Sequence, residues 1–476
     1  MSRVVLVLSL LAVVLPGPVW RAAEAAGVPL AMALAKAYLE NPRLQAARAE
    51  LRAADEGVPL ALSGYRPRLT ARSSFDVARI ETAEGGDTVA TSRSSLALEQ
   101  PIYTGGRSSA EVNRAELRVR AERARLEAIE QEVLLEAVGA YTAVLRDQRL
   151  LELALEAESR LLNRLQGIRD RFRFGELTRT DVARAEARYA AAVAEAAGAA
   201  GDLRRSGAAY RTVIGDPPGA LLPPDPPAGL PIDADDAALA TDAHPAVRAA
   251  AYTLDVATET IEAANAALRP QLTLQGAASY VDEPETDIAT RRDLRIGALL
   301  TVPLYQGGGT YARIRQTRQE RAARRHDLIG VRRTVVERQI AALETRESAA
   351  ERIEALEMRL EAARLALDGL RAEAAEGVRT VADLLDGEED LHAAERALVT
   401  TRREHLLASF TLAAATGGLT AAALGIDAEL YDPERYYGEV RGRWFGTGED
   451  GDEAEDGARA EEDTGDAIDE EVRQRR

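Results

Sequence analysis

The chain contains no cysteine, which excludes disulfide staples, thiol catalysis, Cys-ligated zinc and an N-terminal lipid-modified cysteine. Its histidines, His244, His326, His392 and His405, form neither an HExxH motif nor another metal-ligand spacing, so neither a metal nor a cofactor is expected. Catalytic-triad and GxxxxGK[ST] phosphate-loop patterns are missing as well, which argues against an enzyme. An excess of basic charge is also lacking. The formal net charge of −18 opposes nucleic-acid binding, because a phosphate partner calls for a basic stripe. Aromatic residues are scarce, 4% against 46% hydrophobic. Ala, Leu, Arg and Glu dominate instead, the mixture that long amphipathic helices require.

Long hydrophobic runs are confined to the N-terminus. Arg3 precedes an apolar run from Val4 to Leu15, Pro16, Gly17 and Pro18 follow, and Ala23-Glu24-Ala25 offers a small-x-small cleavage site. The run is too short to span a bilayer, so residues 1–25 read as a cleavable secretory signal. No later stretch supplies the roughly 20 consecutive apolar residues of a transmembrane helix. At the other end, the segment from Glu449 onward is acidic and without apolar periodicity, and reads as a disordered extension.

A membrane-spanning role would therefore need β-strands. Four segments have the length of tilted membrane strands and partly alternate: Arg66 to Ile80, Ser92 to Tyr103, Arg269 to Val281 and Asp293 to Tyr305. Leu69, Ala71, Phe75 and Val77 share one face of the first. Leu294, Ile296, Ala298, Leu300, Val302 and Leu304 share one face of the last, with Arg295 and Thr301 opposite. Soluble hairpins would show the same pattern. The segments Glu81 to Thr91 and Asp282 to Arg292 are polar and turn-rich, as expected for outward-facing loops.

The chain repeats itself at a nearly fixed offset. Asn41-Pro42 returns as His244-Pro245, 203 residues later; PIYTGG from Pro101 returns as PLYQGG from Pro303, 202 later; Gly175 and Asp181 return as Gly377 and Asp383, again 202 apart. The implied division is a first repeat over 26–228, a second over 229–430 and a C-terminal segment over 431–476. Each repeat reads helix, strand, loop, strand, Gly-Gly break, long helix, Gly-containing turn and returning helix. The proline-free path from Gly106 to Phe174 would reach on the order of 100 Å as a helix. Four strands cannot close, and an open edge in lipid leaves backbone groups unpaired, so several chains must share one barrel. Three would give twelve strands and an aqueous lumen.

With these motifs the sequence resembles the TolC family of outer-membrane efflux and secretion channels over about Pro29 to Leu424. The resemblance implies an α+β membrane protein. Its homotrimer would form a twelve-stranded β-barrel in outer-membrane lipid and a long α-helical periplasmic tunnel. The implied partners are a periplasmic adaptor (membrane fusion protein) and an inner-membrane transporter of a tripartite efflux pump or type I secretion system. FGELTRTDV and EGVRTVADLLD resemble the family's paired tips, with Gly175, Leu177, Thr178, Gly377 and Thr380 as adaptor-docking residues. By similarity Asp383 and Asp386 would line the periplasmic entrance; their i, i+3 spacing puts both on one helix face, and threefold symmetry would gather them into a cation-favouring ring. Arg379 matches a family position that ties the closed entrance to an acidic neighbour, for which Asp181 is the candidate. A family tyrosine is replaced by Ala374. Tyr103 and Tyr305 fit an interfacial girdle, and the aromatic segment Tyr431 to Gly446 resembles a stretch of secretion-associated relatives. A periplasmic adaptor and a structural coiled-coil protein of the cell envelope are the alternatives, but neither explains the duplication together with the membrane-length strands.

Overall fold

The computed structural model describes residues 27–82, 85–227, 240–282, 290–376 and 378–447. The expected signal over 1–25, the junction of the repeats at 228/229, the acidic tail from Glu449 and Gly377 lie outside the described residues. The described elements are helices α1 (Leu30–Glu40), α2 (Pro42–Asp55) and α3 (Gly57–Leu62), strands β1 (Arg68–Thr82) and β2 (Gly85–Tyr103), helices α4 (Arg107–Arg173), α5 (Arg179–Ile214) and α6 (Pro245–Ala266), strands β3 (Gln271–Asp282) and β4 (Thr290–Thr301), and helices α7 (Gly309–Ala375), α8 (Val381–Ala415) and α9 (Arg435–Val440). The repeat is metrical: α4 and α7 each have 67 residues, and they begin 202 residues apart. At 1.5 Å per residue each extends on the order of 100 Å.

The described chain divides into two compact units. One comprises Arg52–Glu116, Glu259–Ile314 and Asp432–Arg476, and its centre is an antiparallel sheet in the order β1-β2-β3-β4. Because residues directly opposite in a ladder point to the same side, the register sorts the sheet into two faces. Leu69, Leu98, Gly276 and Ile296 form one row of the first face, and Ala71, Leu96, Ala278 and Leu294 the next. The charges of this face, Arg79, Glu81, Asp282 and Arg292, stand toward the hairpin ends. Arg68, Arg72, Asp76, Arg93, Glu99, Arg291, Asp293 and Arg295 all fall on the second. Phe75, Leu294 and Ile296 are exposed at 72%, 78% and 79%. Three-quarters exposure of such residues in one chain is the surface a bilayer can cover. Ser95, Ser279 and Asp293 on the polar face are half-buried, whereas their neighbours Ser94, Tyr280 and Arg292 on the apolar face are exposed.

The strand expectations hold with shifted ends, except in the first hairpin. Glu81 to Thr91, expected as a loop, is largely ladder: Thr82 pairs with Gly85, and the register continues without a break through Thr91 opposite Asp76. Gly85, at φ 148°, opens β2. Beyond it, Thr88, Val89 and Thr91 favour strand even where no apolar face is required. In the second hairpin Asp282 and Thr290 to Arg292 are likewise strand, and 283–289 lie outside the described residues.

Gly105 and Gly106, and again Gly307 and Gly308, adopt positive φ between strand and long helix. At Gly105 a Cβ would lie 2.8 Å from the Ala266 carbonyl oxygen, so this corner admits glycine alone.

The second unit comprises Met1–Leu51, Leu117–Thr258 and Arg315–Tyr431, and its described part is helical. Its small-residue seams bury Ala124, Ala137, Ala185, Ala342 and Ala394. Tyr141 is fully buried; its hydroxyl shares its proton between the carbonyls of Val28 and Leu222, both at 2.7 Å, and accepts from the Leu222 N–H at 3.1 Å. Burial pushes this phenol up to about 12. It thus fastens α4 to the bridge between Val28 and Leu221. No helix among the described residues is long and apolar enough to cross a membrane.

The two faces of the sheet predict opposite tolerances. Ile296→Arg should cost about 2–4 kcal/mol in a lipid-embedded barrel and deplete assembled protein in extracted membranes. Gly297→Ser, one residue away on the polar face, should leave assembly unchanged.

Candidate functional site: the paired helical tips

The turns between α4 and α5 and between α7 and α8 are built by one recipe. α4 ends on Gly175, at φ 80°. The Gly175 N–H donates to the Phe172 carbonyl at 2.9 Å and the Glu176 N–H to the Arg171 carbonyl at 3.0 Å, the Schellman arrangement that satisfies carbonyls left over at a helix end. In the second turn the Val378 N–H donates to the Glu373 carbonyl at 2.9 Å, the same bond 202 residues on. Gly377, between them, is outside the described residues.

The next helix starts identically in both. Thr178 caps α5: its hydroxyl oxygen accepts from the Asp181 N–H at 3.3 Å, while its own N–H and hydroxyl donate to Asp181 Oδ2 at 3.0 and 2.7 Å. Thr380 caps α8 with the corresponding bonds to Asp383 at 3.2, 3.1 and 2.9 Å. Both are capping boxes with aspartate in the third position. Their carboxyls are held below the usual carboxylate range. For Asp181 the Thr178 hydroxyl contributes most and its N–H next; for Asp383 the Thr380 N–H leads and the hydroxyl follows.

An apolar cluster unites the two tips. Leu165 and Ile168 of α4, Ala185 of α5 and Leu385 of α8 are its buried members, with Leu177, Val182, Tyr189 and Val381 packed against them. Leu177 therefore anchors its turn inward, while Phe174 and Val378 project at 82% and 74% exposure.

The charged residues are distributed differently from the expectation. Arg379 pairs within its own turn, Nε to Glu373 at 2.6 Å, and its field falls on Asp383. It is not joined to Asp181 within this chain. Asp383 is engaged by its cap. Asp386 meets Arg188 of α5 at 2.8 Å, and Arg188 also reaches Glu389 at 3.7 Å. One turn deeper Arg164 of α4 holds Glu388, whose side chain is 8% exposed, at 2.9 Å. Arg188, Arg164, Glu388 and Glu389 had no sequence signal: Arg188 and Asp386 are 198 positions apart, and in a chain this rich in Arg and Glu no local spacing singles them out.

The same two-repeat arrangement runs through a known family. Its sequence model, described as outer membrane efflux protein, matches residues 33–216 and 237–418, one match in each repeat. The chain belongs to this family. Outer membrane efflux protein BepC of Brucella suis is 34% identical over 437 residues, 91% of this chain and 95% of that protein. Outer membrane protein TolC of Vibrio cholerae is 27% identical over 80% of this chain and 88% of its own length. The alkaline protease secretion protein AprF of Pseudomonas aeruginosa is 28% identical over 81% and 84%. Among solved structures, the Campylobacter jejuni CmeC outer membrane channel superposes with a TM-score of 0.76 at 14% identity, covering 87% of this chain and 89% of its own. The outer-membrane channel OprN superposes at 0.72 with 22% identity, covering 82% and 90%. The fold is that of the TolC-like channels, which are trimeric and combine a shared β-barrel with a helical tunnel. The chain is an outer-membrane export channel subunit with a periplasmic tunnel.

The caps generate a pH dependence. A carboxyl whose pKa is lowered on folding adds stability above its unfolded value and gives it up as the pH falls through the folded value. Amide protection over 178–183 and 380–385, taken relative to the intrinsic exchange rate at each pH, should therefore fall below about pH 4, the ordinary aspartate value. Thr178→Ala should reproduce the loss over 178–183 at neutral pH, at a cost of about 1 kcal/mol.

Proposed function

We propose that this channel is closed at the paired tips, that the second-tip carboxylates line the entrance, and that the tips are the docking surface for a periplasmic adaptor serving an inner-membrane transporter. The observation that carries the proposal is the junction of the two tips: duplicated turns joined by one apolar cluster and by Arg188 with Asp386. Such an arrangement has two discrete options, α8 held against α5 or released, which is what a gate requires.

Asp386 has both roles in this reading. Its carboxylate restrains α8 through Arg188, and with Asp383 it forms the cation-favouring ring once three chains assemble. Arg188 belongs to the entrance with Asp383, Asp386, Arg379 and Asp181. The pair is exposed, 41% and 67% at its side chains, so it is worth little energy alone and can be exchanged for contacts with a partner. Around it Gly175, Leu177, Thr178, Gly377 and Thr380 form the docking turns, with Phe174 and Val378 as exposed apolar contacts. The mature protein is taken to be a homotrimer released from its signal after Ala25, with repeats over 26–228 and 229–430, a C-terminal segment from 431, and the apolar face of its sheet in outer-membrane lipid. Relatives named for efflux and for protease secretion both support an export conduit whose cargo is selected by the transporter.

Conductance of the mature trimer in planar bilayers tests this. The wild type should show small cation-preferring openings and Arg188→Ala openings several-fold larger; an intact Arg188→Ala trimer with unchanged conductance would remove the pair from the gate. Asp386→Asn should both enlarge the openings and weaken the cation preference.

A further inference from the structure

On the polar face of the sheet, between a row with Arg68 and Glu99 and a row with Asp76, arginines outnumber carboxylates in three successive rows. The innermost contains Thr70, Ala97, Ala277 and Arg295; the middle one Arg72, Ser95, Ser279 and Asp293; the outermost Ser74, Arg93, Val281 and Arg291. These rows hold four arginines and one carboxylate, Asp293, which is bound to Arg291 at 2.9 Å. Rows on one face are two residues apart along a strand, so the group occupies roughly 14 Å of strand length.

Solvating a lumen does not require this. The same face of β3, Thr273, Gln275, Ala277, Ser279 and Val281, has no charge. Nor does the overall composition, since the chain as a whole carries a net −18. The rows run against the sign of the rest of the molecule. They also lie on the polar side of the sheet, where Ser95, Ser279 and Asp293 are half-buried. In a barrel shared by three such sheets, that side is the water-filled interior.

We infer that Arg72, Arg93, Arg291 and Arg295 form a cationic collar inside the barrel that binds multivalent anions on their way through the channel. The inference rests on the channel reading. Three chains would place twelve guanidinium groups against three carboxylates around one lumen. Guanidinium groups keep their charge at every physiological pH and bind phosphate or carboxylate oxygens in bidentate fashion. The carboxylates proposed at the tips have the opposite sign. The channel would then be two charge filters in series, cation-favouring at the entrance and anion-favouring at the exit. The ligand class is a small molecule with several phosphate or sulfate groups, either an exported anion or one entering from outside.

The experiment records single-channel currents of the full mature trimer in a planar bilayer, with inositol hexakisphosphate added to one side and then the other. Block from the hairpin side is expected at low concentration and should weaken as salt is raised. Block from the tip side should need more anion, because the tip carboxylates repel it. An exported anion would also block from the tip side once Asp383→Asn and Asp386→Asn are combined; an anion that only enters from outside would not.

Replacing Arg72, Arg93 and Arg295 together by Gln should raise the half-blocking concentration on the order of ten-fold and shift the reversal potential in a salt gradient toward cations. Lys at the same positions should retain block. Single Arg93→Gln and Arg295→Gln channels, each expected to shift it about two-fold, supply the comparison if the triple variant fails to assemble. Conductance with equal block in wild-type and Gln channels would overturn the collar alone. An intact trimer without conductance would overturn the channel reading and the collar with it.

Discussion

Everything in this molecule depends on two rows of backbone hydrogen-bonding groups that a single chain cannot satisfy. The sheet ends at β1 on one side and β4 on the other, and the described chain offers neither edge a partner strand. In water such edges can be solvated; in hydrocarbon each unpaired N–H or C=O costs several kcal/mol. The apolar face puts the sheet in hydrocarbon, so the edges must pair with those of other copies. Closure then determines that the polar face looks inward and that its charges share one lumen.

The same constraint explains why the helical unit need not be strongly apolar. Its members bury alanine seams and exchange many exposed Arg–Glu contacts, which are individually weak. Specificity comes instead from a few buried polar fasteners. Tyr141 is one, holding two carbonyls and an N–H. Arg164 with Glu388 is another, costly to form but costlier to break by removing one partner.

Much of the architecture was legible because backbone geometry leaves marks on sequence. Positive φ demands glycine at Gly105, Gly106 and Gly175; a helix start demands a cap, hence Thr178 with Asp181 and Thr380 with Asp383; a lipid-facing strand must alternate. All three requirements recur about 202 residues apart, so the repeat could be read before any contact was known. The extent of β2 was not legible, because Gly85 to Thr91 needs no apolar face, and without alternation a strand looks like a loop. Nor was the partner of Asp386. The i, i+3 relation between Asp383 and Asp386 is local, whereas Arg188 reaches Asp386 only because two helices from different repeats pack side by side. Arg379 shows the converse: its position matched a motif, but its guanidinium turns to Glu373, six residues away.

The reach of β2 has its own consequence. The described β2–β3 ladder runs as far as Ser92 opposite Asp282, and β2 runs on to Gly85 with β1 as its partner. Beyond Ser92 the first hairpin carries its own β1–β2 ladder. Its distal rungs contribute neither to the hydrophobic band nor to the collar rows. Inserted or exchanged residues at Gly85 and Gly86 would therefore be felt first by whatever meets the cell from outside and last by the channel itself.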